Sequence, residues 1–230
     1  NLTLTYTGLA LLLLVVYGWF SYVVNESEGG LYDAQVDMSF RWGMAWFIFS
    51  EVMFFAAFFG ALYYARELSL PWLAGEGTKV STNQELWPTF ENVWPSNGPA
   101  NVGGEFIVMK AAGIPALNTI ILLISGLTVT WAHHGLKEGK RNLLILGLTA
   151  TVLLGFIFVG FQAYEYSHAY NDLNLKMTSG MYGSTFYMLT GFHGFHVTLG
   201  AIMLTVILFR CIKGHFTNEN HFGFEAVAWY

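Results

Sequence analysis

Residues 142–164 read NLLILGLTATVLLGFIFVGFQAY, a stretch without a single charge. About 20 apolar residues in helical form cross the ~30 Å hydrocarbon core of a bilayer, and this run is long enough to do so. Working outward, three more stretches carry no Asp, Glu, Lys or Arg: residues 1–25, 111–136 and 177–209. A fifth, residues 42–65, is equally apolar and is broken only by Glu51. Across the chain 54% of residues are apolar and 11% charged, against about 25% charged in a soluble domain. In lipid only helices and closed barrels satisfy every backbone group, and barrel strands show short alternating segments rather than uninterrupted runs. The sequence therefore predicts an all-α, polytopic transmembrane helix bundle, one membrane domain over residues 1–230.

The remaining segments are connections: 26–40, 66–113, 133–141, 165–182 and 210–221. Successive spans alternate direction, so the first, third and fifth connections share a side. That side holds Arg41, Lys137, Lys140, Arg141, Arg210 and Lys213; the other holds Arg66, Lys79, Lys110 and Lys176. The excess of cations makes the first side cytoplasmic. The long segment 66–113 is then an extracytoplasmic loop, with Trp72, Trp87 and Trp94 as interfacial anchors and Pro88, Pro95 and Pro99 as turn formers. A net charge of −5 without a basic run excludes nucleic acid as a partner. The single cysteine, Cys211, can form no internal disulfide. The chain opens inside an apolar run and ends as another begins, so further helices are expected on both sides.

Few residues can carry chemistry. Glu51 lies ten positions after Arg41, about 15 Å along a helix, which places it near mid-bilayer. An intramembrane carboxyl is costly when charged and is read by default as functional, with hydrogen-bonded packing against a neighbouring helix as the plainer alternative. His193 and His196 share a helix face at i and i+3 and could hold a metal or haem; the shortage of further ligands at that depth favours structural or lipid-facing roles. His133 and His134 are adjacent, point apart on a helix, and read as a headgroup- or subunit-facing turn. Glu165 and His168 stand at i and i+3, where an ion pair would be structural. Arg210, Lys213 and His215 could hold a lipid phosphate or serve only to fix topology. Small residues inside the spans, among them Ala56, Gly60, Gly126, Gly191 and Gly200, permit close helix approach. No phosphate loop, activated nucleophile or Cys cluster is present, so these residues assign no catalytic, cofactor or metal position to the chain.

Several strings are similar to signature stretches of cytochrome c oxidase subunit III: Arg41-Trp42-Gly43-Met44, Ser50-Glu51-Val52-Met53-Phe54-Phe55, Pro115-Ala116-Leu117-Asn118-Thr119 and Thr130-Trp131-Ala132-His133-His134. Gln162-Ala163-Tyr164-Glu165-Tyr166, Tyr182-Gly183-Ser184-Thr185-Phe186, Gly191-Phe192-His193-Gly194-Phe195-His196-Val197 and His221-Phe222-Gly223-Phe224-Glu225-Ala226 continue the series in the family's order. The resemblance implies seven helices, a first pair set off from five by a lipid-filled cleft, of which this chain would hold five and the start of the last. It implies a subunit without redox centres in a proton-pumping oxidase that passes electrons from cytochrome c to dioxygen. Haem and copper would sit on subunits I and II, subunit I being the direct partner. By position, the resemblance marks Glu51 as the family's carbodiimide-reactive buried acid and Trp19, Glu26, Glu51, His196, Arg210 and His215 as phospholipid contacts. Where animal members carry a histidine pair this chain has Leu31 and Tyr32, which leaves the Tyr32 hydroxyl to serve, and the 66–113 loop is longer than theirs. A bacterial inner membrane is the expected location, with support of aerobic respiration through proton uptake, subunit I stability and bound phospholipid as the expected role. The equivalent subunit of a quinol oxidase and a stand-alone proton-coupled transporter are the alternatives.

Overall fold

Each uncharged run seeds a long helix. The computed structural model describes residues 1–230 and contains no strand. Helix α1 spans Leu2–Glu28, α2 Ala34–Tyr64, α3 Leu70–Leu73, α4 Val80–Leu86, α5 Ile114–Lys137, α6 Arg141–Asn171, α7 Gly180–Lys213 and α8 Phe222–Trp229. Five helical spans are long and apolar enough to cross a membrane. The 34 residues of α7 extend about 51 Å at 1.5 Å per residue, well beyond the ~30 Å of hydrocarbon, so helix ends reach the headgroup level on both sides.

Several boundaries differ from the sequence reading. The second span does not end at Ala65: a π-helical turn, Ala65–Ser69, carries it through Arg66 and Glu67 into α3, as far as Leu73. Charged residues past the apolar run still extend the backbone ladder once the helix has left hydrocarbon. The third connection shrinks to Glu138–Lys140, which puts His133 and His134 inside α5 rather than in a turn. Segment 66–113 holds α3, a 3-10 turn at Gly77–Lys79 and α4 before it becomes irregular.

The chain forms two compact units, Asn1–Phe47 and Ile48–Tyr230. In the first, Asn1 caps α1 by accepting from the Thr3 amide at 3.3 Å, and Asp33 Oδ1 accepts from the Val36 amide at 2.9 Å at the start of α2. In the second, α5, α6 and α7 pack in sequence, with glycines of α6 at both seams. A Cβ on Gly147 of α6 would stand 2.9 Å from Ala132 Cβ and 3.0 Å from the Thr128 carbonyl oxygen of α5. Polar pins follow the same seam: the Thr128 and Thr151 hydroxyls are 2.8 Å apart, and the Ser125 hydroxyl donates to the Thr151 carbonyl at 3.4 Å. Between α6 and α7, Gly155 meets Ala201, and Tyr166 bonds Thr190 at 2.7 Å.

Two buried clusters form. Ala132, Leu136, Leu144, Leu148, Ile207, Cys211 and Phe224 join α5, α6, α7 and α8 at one end. At the other, Ala169, Leu175 and Tyr187 are covered by Phe106, Met109 and Tyr182. This second cluster docks the irregular part of 66–113: the Tyr182 amide donates to the Ser96 carbonyl at 3.0 Å, Ile107 N–H to Leu173 at 2.9 Å, and Phe106 stacks on Tyr182.

Candidate functional site

Within the part of α2 that belongs to the second unit, the half-buried positions are Ile48, Glu51, Phe55, Phe58 and Leu62. Alternating steps of three and four make one narrow stripe, the seam geometry of a helix touching a single neighbour. The neighbour is α7. Phe54 and Phe58 meet Phe192 with ring centroids 5.1 Å away, and Phe55 meets His196 at 5.1 Å. Glu51 falls on this stripe one turn from Phe55, and its Oε2 is hydrogen-bonded to His196 Nε2.

The other face of the ring fixes its tautomer. His196 Nδ1 lies 2.7 Å from the Phe192 carbonyl, four residues earlier on α7, and an oxygen there can only accept. Nδ1 therefore carries hydrogen, and Nε2 shares a single proton with the Glu51 carboxyl. Tyr230 stacks on the ring at 5.9 Å. The two side chains satisfy each other across the seam between α2 and α7.

His193 does not join it. Its ring meets Phe158 of α6 edge-on at 5.8 Å, while His196 turns to α2, so the two rings face different helices and offer no shared ligand position.

The remaining residues marked in the sequence fall into local groups. In the first unit, Trp19 stacks on Phe20 and is exposed. Seven positions on, Glu26 accepts from the Tyr32 hydroxyl at 2.8 Å. Partial burial, then the Glu26 carboxylate, raises the Tyr32 phenol above its ordinary value. In the second unit, Gly214 ends α7 in the left-handed conformation at φ +79°, where a side chain would be strained. Beyond it the chain folds back so that the Arg210 guanidinium lies 4.4 Å above the Phe216 ring and the His215 amide donates to the Arg210 carbonyl at 3.1 Å. Arg141 donates to the Ile212 carbonyl at 2.6 Å, which satisfies a terminal helix acceptor with a cation.

Two expectations are corrected. Glu165 and His168 do not pair: His168 bonds Asp172 at 2.6 Å, while Glu165 turns inward and accepts from the Asn118 amide at 3.5 Å. The step of three brings both onto one side of α6, but α5 covers Glu165 alone. His133 lies in α5 and not in a turn; it stacks on Phe224 of α8 and stands 3.5 Å from Glu225, which also lies 3.4 Å from His221. Sequence reasoning missed this trio because its members are separated by two transmembrane helices. The string His221 to Glu225, spaced i and i+4 on a short helix, was the available signal.

The comparisons with known proteins agree along the whole chain. The family model described as Cytochrome c oxidase subunit III matches residues 1–77 and 83–230; the gap falls at the start of α4. A cytochrome c oxidase subunit 3 from Tetraodon nigroviridis is 42% identical over 231 residues, covering 100% of this chain and 78% of that protein. Those of Gadus morhua and Salmo salar are each 42% identical, covering 99% and 100% of this chain and 77% and 78% of their own lengths.

Proposed function

The chain belongs to the cytochrome c oxidase subunit III family, which makes it a multi-pass membrane subunit of an oxidoreductase complex, and we propose that it serves there as a non-redox core subunit. In this reading the complex passes electrons from cytochrome c to dioxygen and pumps protons. Haem and copper are held by subunits I and II, and this chain stabilises subunit I, retains phospholipid and supports proton uptake from the cytoplasmic side of a bacterial inner membrane. The departures at Leu31 and Tyr32 and the long 66–113 segment favour that membrane over an animal setting.

One observation carries the proposal: the part of α2 in the second unit buries none of its residues, yet leaves Val52, Met53, Phe59 and Tyr63 exposed. An apolar face of this extent needs hydrocarbon or a partner subunit to cover it. The engagement of His196 by Glu51 and Phe192 supports placing the haems elsewhere. For phospholipid, the favourable groups are Arg210 and His215 at the end of α7, and Trp19, Glu26 and Tyr32 around the end of α1. Glu51 and His196 supply the intramembrane proton-holding pair beside acyl chains.

Mild detergent extraction followed by affinity purification through this chain tests the reading. Co-purification of haem-bearing partners with cytochrome c oxidase activity is expected. Activity with quinol alone would move the chain to the quinol oxidase branch, and isolation without partners, with proton-coupled transport in vesicles, would overturn the subunit reading.

A further inference from the structure

His133 near the end of α5 and His221 and Glu225 at the start of α8 bring three potential ligand atoms to one point. His133 Nε2, His221 Nε2 and a Glu225 carboxylate oxygen all lie within 4.8 Å of one another. The two separations from Glu225 Oε1 are 3.5 Å to His133 and 3.4 Å to His221. Hydrogen bonds between such groups are shorter, about 2.7 to 3.2 Å, and neither Nε2 has a hydrogen-bond partner although both are shielded from water. A tetrahedral zinc ion with metal–ligand distances of about 2.0 to 2.2 Å would place neighbouring ligands about 3.3 to 3.6 Å apart. The two separations from Glu225 match that spacing, and the third pair of atoms lies within 4.8 Å.

The outer contacts point the same way. His221 Nδ1 lies 3.1 Å from the Thr217 carbonyl, so it carries the hydrogen and turns the Nε2 lone pair toward the carboxylate. An imidazole lone pair that faces a carboxylate can be bridged by a proton or by a metal ion, and the long separation suits the larger ion. A carbonyl that fixes the distal nitrogen of a ligating imidazole is the usual outer support of a metal site. His133 is held in place by stacking on Phe224 at 5.3 Å, and Phe224 is itself part of the buried cluster that joins α8 to α5 and α6. Both rings and the carboxylate are therefore positioned by the fold.

We propose that His133, His221 and Glu225 form a binding site for a divalent transition-metal ion, zinc by preference, that clips α8 to the end of α5. Two imidazoles and one carboxylate are a borderline donor set that suits zinc over calcium or magnesium, and three protein ligands leave a fourth position for water. The side chain of His133 remains 24% accessible, which gives the ion an entry path from the same membrane side as Lys137 and Lys140. Metal held here is independent of the electron donor and of proton uptake.

The test uses the intact complex, stripped with a chelator, reloaded with zinc chloride and washed. Zinc retained by the wild-type complex should exceed that in His221→Gln by one ion per copy of this chain, and Glu225→Gln should bind that ion at least tenfold more weakly. Equal zinc content in wild type and His221→Gln would overturn the site. If a variant fails to assemble, anomalous diffraction at the zinc edge on the loaded wild type decides alone: a peak between His221 and Glu225 supports the clip, and a blank map there overturns it.

Discussion

The pairing of Glu51 with His196 turns a costly residue into a neutral one. With His196 Nδ1 committed to Phe192, Nε2 needs one proton donor, and a glutamine amide can supply it as well as a protonated acid. Glu51→Gln is therefore expected to leave assembly and initial dioxygen reduction intact, at a cost below about 1 kcal/mol. Glu51→Leu strands the imidazole and should cost about 1 to 3 kcal/mol, read as a lower temperature for dissociation of this subunit from the complex. Loss of turnover in Glu51→Gln would show that the carboxyl itself is needed in the reaction cycle. Arg210 stands on Phe216 at the end of α7, so Arg210→Ala is expected to lower the retained anionic phospholipid while the helices remain folded. Native mass spectrometry that finds the lipid complement unchanged would remove Arg210 from the headgroup sites. At this scale the sequence was informative about kind: Glu51 stood out because it was the only charge in its span. It was silent about partners, since His196 lies 145 positions away.

Helix–helix seams depend on the absence of side chains as much as on their presence. Gly147 allows α6 to sit against Ala132 and the Thr128 carbonyl, and that approach brings the Thr128 and Thr151 hydroxyls together. Gly147→Val would place its branched side chain where even a Cβ comes within 3.0 Å of α5, and overpacking of this kind costs about 1 to 3 kcal/mol. The expected result is loss of the subunit from the complex during detergent washing, seen as a faded band on gels; a complex that keeps full occupancy would show that the seam can open without penalty. Of the small residues the sequence singled out, a Cβ on Gly191 would meet Tyr166 and one on Gly200 would meet Tyr230, each at 3.6 Å, whereas Gly60 and Gly126 have nothing within 4 Å of a built Cβ. Small size marks where a neighbour could approach, and only the packed arrangement shows where one does.

For the molecule as a whole, the segment 66–113 illustrates how far composition reaches. Tryptophan and proline content marked an interfacial cap, whereas the structure shows packing within the protein, with the Trp94 ring 5.5 Å from Tyr182. The docking itself depends on Gly180, at φ +58°, where a Cβ would come within 2.2 Å of the Asn97 carbonyl oxygen. Gly180→Ala should therefore release residues 94–106 from the start of α7 and speed their cleavage in limited proteolysis; an unchanged digestion pattern would mean the loop is held elsewhere. The sequence by itself determined the class of fold and the number of spans, because the cost of placing charge and unpaired backbone in hydrocarbon is a local property of each stretch. Only the tertiary structure decided that Glu51 meets His196, that Glu165 leaves His168 for Asn118, and that His133 meets His221 and Glu225. Those choices follow from which faces of distant helices come into contact, a property of the packed whole that residue spacing within any one helix does not contain.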